Sequence, residues 1–194
     1  MSLRPTFVSA LCLVLALTIG CGGEPPEKEM QQAEGAIAAA RAAGADRYAT
    51  DEYAAAEAAL AHARDAVTER DYRMALDRAL DSRERAQNAA RQAADAKAVA
   101  RGEAERALSA AQADLDAADQ RLEAAKSAKA PARLLVAPQK TIDTARASLQ
   151  EARALFEKGD YLEVPGRAKA ATASLPTASD AIAAAAAPAP RRRR

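Results

Sequence analysis

The sequence predicts an all-α fold: an elongated helical bundle of two three-helix units sharing one long central helix, with coiled-coil-like Ala/Leu packing. Three observations predict it. Alanine makes up about 30% of the chain, and strong helix formers fill most of the interval between Pro26 and Pro131. Small and apolar residues recur every seventh position along that interval. The second half of the chain then repeats the pattern of the first. Aromatic residues are only 3% of the total, so the core must be built from Ala and Leu. A buried Ala removes far less apolar surface from water than a Leu, and such helices must approach closely.

The first helix is expected from about Lys28 to Ala43, where Met30, Ala33, Ile37 and Ala40 line one face. Gly44 suits the position just past a helix end. Thr50 is a candidate N-cap for the second helix, with Asp51 and Glu52 at the positive end of its dipole. Its apolar stripe is Tyr53, Ala56, Leu60, Ala63 and Val67. Asp71 is the expected cap of the third helix, which meets no proline from Tyr72 to Lys129.

That third helix carries Tyr72, Ala79, Ala86, Ala93, Ala100 and Ala107 at heptad spacing, then Leu108, Leu115 and Leu122 interleaved with Ala111, Ala118 and Ala125. The face changes near Gly102, where a bend or fray is expected because glycine disfavours helix; the alternative is one compact bundle in which the third helix breaks at Gly102. Pro131 and Pro138 bracket an expected linker, Ala132 to Ala137. A fourth helix runs from Pro138 to Lys158 and ends at Gly159. The fifth starts near Asp160 and extends to Leu175, where Pro176 ends or kinks it; Ala181 to Ala187 adds a helical turn or two.

Asp71-Tyr72 recurs as Asp160-Tyr161. In the same register Tyr53, Ala56, Leu60, Ala63 and Val67 fall on Ile142, Ala145, Leu149, Ala152 and Phe156, and Ala79 falls on Ala168. The repeated unit is read as a helical hairpin with a tight turn. In it the Asp caps the returning helix and the Tyr packs back between the two. Asp71, Tyr72, Asp160 and Tyr161 are therefore the expected structural turn residues.

The amino-terminal residues address location. Arg4 precedes an almost uncharged apolar run, Phe7 to Ile19, followed by Gly20 and Cys21. A basic start, a short apolar stretch and a small residue have the layout of a signal peptide. The run is too short for a spanning helix. Leu17-Thr18-Ile19-Gly20-Cys21 resembles the lipobox of bacterial lipoproteins, with Thr18 where Leu is commonest. The resemblance implies cleavage before Cys21 and acylation of that cysteine, which would anchor the chain to a lipid bilayer. Gly22, rather than Asp, follows the cysteine, which by the sorting rule of enteric bacteria implies the outer membrane, with the body facing the periplasm. On this reading residues 1–20 are a signal peptide and 21–27 a flexible tether. Residues 28–101 and 102–187 form the two helical units, and 188–194 a disordered basic tail.

A second resemblance covers about Gln31 to Ala100. Ala43-Gly44-Ala45-Asp46-Arg47-Tyr48-Ala49-Thr50, the stripe after it and Asp71-Tyr72 are similar to an uncharacterised domain of bacterial envelope lipoproteins, of pattern A-G-A-x-x-Y-A-P followed by a D-Y turn. Thr50 stands where that pattern has Pro. Some relatives continue into a peptidoglycan-binding domain. The resemblance implies a helical hairpin in the cell envelope, with an envelope protein or peptidoglycan as candidate partner, and no defined activity.

Composition points away from catalysis. Lys and Arg total 28 and Asp and Glu 27; losing Arg4 with the leader balances them. A near-neutral body lacks the basic stripe of a nucleic-acid interface. His62 is the only histidine, so no Cys/His cluster exists for zinc. Asp114, Asp116 and Asp119 read as a solvated helix face, because the glycine turn and distal Glu of a calcium loop are missing. No nucleotide-binding or nucleophile motif occurs, and no cofactor is expected. Arg191 to Arg194 reads as a solubilising end, or more weakly as an anion-binding one. The expected function is a non-catalytic structural or interaction scaffold, lipid-anchored in the envelope, with cell-wall organisation as a candidate role. The alternative is a periplasmic helical-hairpin adaptor for a protein or peptide. Covalent attachment to peptidoglycan through a carboxy-terminal lysine, as in the small major outer-membrane lipoprotein, is not expected of a chain ending in arginine.

Overall fold

The structure is a computed structural model that describes residues Gly23 to Ala187. The leader, Cys21 and the Arg191–Arg194 segment lie outside the described residues. The fold is all-α. Its helices are α1 (Glu27–Ala42), α2 (Ala45–Tyr48), α3 (Thr50–Thr68), α4 (Tyr72–Ser127), α5 (Ala132–Lys158), α6 (Val164–Thr172) and α7 (Leu175–Ala186). The chain divides into two compact units, between Ala94 and Asp95, inside α4.

In the first unit, α1 and α3 are antiparallel. Glu34 on α1 pairs with Arg64 on α3, and Arg41 with Glu57. The start of α4 runs antiparallel to α3: Ser82 Oγ donates to the Ala56 carbonyl at 2.8 Å, and Arg85 lies 3.7 Å from Glu52. The core is mostly methyl groups. Ala40, Ala45, Ala49, Ala56, Ala86, Ala89 and Ala93 pack around Tyr53. Ser82 is fully buried and spends its hydroxyl on a backbone carbonyl of the facing helix, which satisfies its polar atom without needing side-chain room.

The second unit packs α5, α6 and α7 with the remainder of α4. Leu115, Leu122, Leu135, Ile142, Leu149, Leu175 and Ile182 interleave with Ala111, Ala118, Ala145, Ala152 and Ala168. Three ties cross this unit at its surface. Arg146 pairs with Asp119 at 2.8 Å, Arg153 donates to Gln112, and the Arg101 guanidinium lies 6.0 Å from the Phe156 ring centroid.

Along α4, one stripe of buried or half-buried positions runs Ala75, Ala79, Ser82, Ala86, Ala89, Ala93, Ala96 and Ala100 in alternating four- and three-residue steps. Two more four-residue steps follow directly, from Ala100 to Ala104 and from Ala104 to Leu108. Alternation then resumes from Leu108 through Ala111, Leu115, Ala118, Leu122 and Ala125. Three successive fours interrupt the heptad alternation and move the seam without breaking the helix. The change of face expected near Gly102 is this run of fours, and α4 continues through it.

Several boundaries differ from the sequence reading. Ala49, at φ −142° and ψ 48°, is the cap of α3, and Thr50 is its first helical residue with no capping hydrogen bond. The short α2 takes up the chain before it, so the break falls one residue early. The expected linker Ala132 to Ala137 is helical, and Pro138 lies inside α5. A proline there removes one backbone hydrogen bond and crowds the preceding turn. It is tolerated near the helix start because Leu135, Pro138 and Ile142 form one buried stripe. Pro176 opens α7 rather than ending a helix; its missing N–H falls in the first turn, where none is needed. The second returning helix begins at Val164, after a turn over 161–163, not at Asp160.

Gly102 is helical, with an ordinary negative φ and no atom within 4 Å of where a Cβ would sit. Gly102→Ala should therefore raise stability by up to about 1 kcal/mol, the difference in helix propensity. Urea unfolding monitored by circular dichroism checks this, and a loss of stability would show that α4 needs glycine's freedom at this position.

Candidate functional site

The end of the first unit where the chain enters brings together the expected tether and one pair of expected turn residues. Gly23 lies beside Tyr72: a Cβ built on it would be 3.8 Å from the Tyr72 Cδ2. Pro26 is buried. The Glu27 N–H donates to the Pro25 carbonyl at 2.8 Å, and the Met30 N–H donates to the Pro26 carbonyl. The described part of the expected tether is thus docked on the body, and α1 starts at Glu27. The cause is local. Two prolines cannot propagate a helix but leave their carbonyls as acceptors for the first turn, and the Gly23 before them lies beside a hairpin end.

That hairpin end is the α3–α4 turn. Arg70 takes a left-handed conformation, φ 60°. The Arg70 N–H donates to the Val67 carbonyl, and the Asp71 N–H donates to the Ala66 carbonyl. These two bonds are the Schellman pattern, which satisfies carbonyls left free at the end of α3. Asp71 Oδ1 then accepts the Met74 N–H at 2.9 Å, capping α4. Tyr72 is half-buried. Truncating it should cost less than the ~3–5 kcal/mol of a fully buried aromatic ring.

The repeat-related turn is built alike. Gly159, at φ 84°, occupies the place of Arg70. The Gly159 N–H donates to the Phe156 carbonyl and the Asp160 N–H to the Leu155 carbonyl. Asp160 and Tyr161 are half-buried, and the Tyr161 ring packs on Phe156 with centroids 5.1 Å apart. The Asp160 carbonyl accepts the Glu163 N–H, a main-chain bond within the turn that precedes the helix. Pro165 lacks the N–H that would continue the helix back to Tyr161.

A groove of about 400 Å³ lies between α1 and α3, lined by Glu34, Ile37, Arg41, Tyr53, Glu57, Leu60 and Arg64 among others. The Arg41 guanidinium is 5.7 Å from the Tyr53 ring centroid. The Tyr53 hydroxyl is buried and has no partner at hydrogen-bonding geometry. Burial pushes the Tyr53 phenol above its usual range, helped by the neighbouring Glu57 carboxylate and opposed by Arg41. Sequence reading placed Tyr53 in an apolar stripe and missed this groove. Its rims come from residues paired across two helices, and no local spacing marks them.

The other residues singled out from sequence are scattered. His62 is exposed on α3. Asp119 pairs with Arg146, and Asp116 accepts from Gln112, so these carboxylates are spent on helix surface pairs. Among the described residues no group of three His, Cys, Asp or Glu side chains could hold a metal ion.

Two outcomes are expected. Arg70→Gly should stabilise the protein by about 1 kcal/mol, because a non-glycine residue in the left-handed region is disfavoured by that order. Gly159→Ala should cost a similar amount, although no side chain crowds the site. Paired denaturant melts test both. Tyr53 should make stability fall on the alkaline side. Its phenol is raised in the folded state, so its contribution is complete below the ordinary phenol range near pH 10 and is lost as pH climbs toward the folded value. Thermal melts from pH 8 to 11 should show a smaller alkaline loss for Tyr53→Phe than for wild type.

Comparison with protein families, with characterised proteins and with solved structures found no match.

Proposed function

We propose that this protein is a lipoprotein of the bacterial cell envelope, acylated on Cys21, whose helical body serves as a non-catalytic scaffold in the periplasm at the outer membrane. The observation that carries the reading is the leader: Arg4, the apolar run Phe7 to Ile19, then Gly20-Cys21-Gly22. A single cysteine placed just after a signal-like segment is the nucleophile a lipid transfer would use. Cys12 lies within the leader and would be removed with it. The body suits a scaffold. Its helices expose alternating charges knitted by pairs such as Arg101–Glu105, Lys126–Glu123 and Arg146–Asp143, which keep a long helical surface solvated. Among the described residues no helix is long and apolar enough to cross a membrane. In this reading the acyl chains, not a protein span, hold the protein at the bilayer. A myristoyl-sized chain alone binds only marginally, and stable anchoring needs more than one chain, which the lipoprotein modification supplies.

The α1–α3 groove favours a second reading, an adaptor for a protein or peptide segment. Two Arg–Glu pairs bridge its rims, Arg41–Glu57 and Arg64–Glu34, on either side of apolar Ile37 and Leu60. Pull-down of envelope proteins and of purified peptidoglycan separates the readings: an adaptor loses its partner when Arg41 and Arg64 are changed to Ala, and a scaffold that uses another face does not.

Cys21→Ser tests the anchor. Wild type should float with membranes and show a mass increment of acyl chains on its amino-terminal peptide. The variant should accumulate as uncleaved precursor or as a soluble form. Identical fractionation and mass for the two proteins would reject the lipoprotein reading.

A further inference from the structure

The docked entry segment fixes more than the start of α1. In the first unit, α1 and α4 are parallel: Gly23 neighbours Tyr72, and further along Arg83 donates to Gln32. The chain entry and the α3–α4 turn therefore share one end of this unit. Gly44 and α2 lie at the other, because α1 runs its full length between them. Two peptide bonds separate Gly23 from Cys21, a reach of at most about 7 Å. A free seven-residue tether could extend about three times as far. With Pro26 buried and Gly23 lying beside Tyr72, most of that slack is gone.

The surface at this end has a particular chemistry. Met74 is 47% exposed, on the first turn of α4 and held there by the Asp71 cap. Arg70 and Arg73 are exposed beside it, and Tyr72 is half-buried between Gly23 and the turn. Glu24, Glu27, Glu69 and Asp77 share the same end with Lys28 and Arg78, so it is close to neutral rather than a basic patch. Arginine and tyrosine present apolar stems with polar heads, the side-chain type that settles at a water–lipid boundary. An exposed methionine adds an adaptable apolar contact.

From this placement we infer that the end of the first unit formed by Arg70, Tyr72, Arg73 and Met74 rests on the bilayer headgroup layer, and that α1, α3 and the start of α4 lead away from it. The inference rests on acylation of Cys21. Acyl chains enter the membrane at the cysteine, and the short covalent reach to Gly23 brings this surface, and no other surface of the unit, to the lipid. The contact is set by geometry and amphipathic side chains, not by charge attraction, so it should persist at high salt.

The mature acylated protein has no free thiol, which allows single labels. Met74→Cys and Asp46→Cys place an environment-sensitive fluorophore at the two ends of the first unit, since Asp46 is exposed on α2. Each acylated variant is reconstituted into phosphatidylethanolamine–phosphatidylglycerol vesicles that carry a nitroxide quencher on a fraction of their headgroups. Fluorescence should be lost at 74 and retained at 46, in low and in high salt alike. Inserting a long Gly-Ser segment between Cys21 and Gly23 should restore the signal at 74 while flotation with the vesicles is unchanged. Equal quenching at 74 and 46 in protein whose mass confirms the acyl chains overturns the inference and leaves the anchor intact. Quenching at 74 that survives the inserted segment would show that the surface seeks lipid by itself and overturns the tether argument. Absence of acyl chains from Cys21 overturns the anchoring reading and this inference with it.

Discussion

The structure depends on how closely its helices can approach. Most core positions are alanine, and a methyl group reaches only a short way from the backbone. Dispersion falls away steeply with separation, so an Ala-lined seam is worth having only when two backbones come nearly into contact. Ser82 shows how close. Its hydroxyl reaches the Ala56 carbonyl of the facing helix at 2.8 Å, which a larger intervening side chain would prevent. Where the seam is lined by bulkier residues the constraint relaxes. Matched positions in the two units make the contrast: Ala33 with Leu122, Ala86 with Leu175, Ala93 with Ile182, all of them buried. The second unit removes more apolar area from water at the same places. In the first, Tyr53 supplies the missing bulk, and the buried hydroxyl that comes with the ring has no partner.

Close approach in turn demands tight connections. A long loop at a hairpin end would let two Ala-lined helices splay. The α3–α4 and α5–α6 connections instead turn within a few residues on one left-handed residue each, Arg70 and Gly159. A third such turn, on Lys129, joins α4 to α5: the Lys129 N–H donates to the Lys126 carbonyl and the Ala130 N–H to the Ala125 carbonyl. Only one of the three positions holds glycine. At the other two the strain, of order 1 kcal/mol each, is carried by the packing on either side. A basic side chain at a helix C-terminus also meets the negative end of the dipole, a partial offset glycine could not give.

The class of fold and the repeat were legible because both are written in periodicity. The matched stripes Tyr53/Ile142, Ala56/Ala145, Leu60/Leu149 and Ala63/Ala152 are buried in both units, and a period of three to four residues is visible without knowing what it packs against. The boundaries were less legible at proline. Pro26, Pro138 and Pro176 look alike in sequence, yet one is docked ahead of a helix, one lies buried inside a helix, and one opens a helix. What decides between these is the burial of the neighbouring stripe, a tertiary property. The Asp-Tyr pairs were found from sequence, but the turns they open differ in length. After Asp71, whose side chain accepts the Met74 N–H, α4 starts at once; after Asp160 a turn over 161–163 precedes α6, because Pro165 delays the helix. The α1–α3 groove left no sequence signal, since Arg41 and Glu57, like Arg64 and Glu34, find each other only after the hairpin closes.

The run of fours in α4 explains why a single helix suffices here. Alternating fours and threes keep the seam on one side of a slightly supercoiled helix; a four in place of a three advances it by part of a turn. Ala96, Ala100 and Ala104 supply that step with the smallest side chains that still favour helix. Gly102 falls inside it, half-buried and unobstructed. A break at this point would free four carbonyls and four N–H groups that then need caps, and no Ser, Thr, Asn or Asp lies between Ala96 and Leu108 to provide one. Lacking capping residues, the sequence holds the backbone bonds and shifts the register of its buried face instead. Continuity of the helix through a weak propensity site is thus the lower-energy solution for this composition.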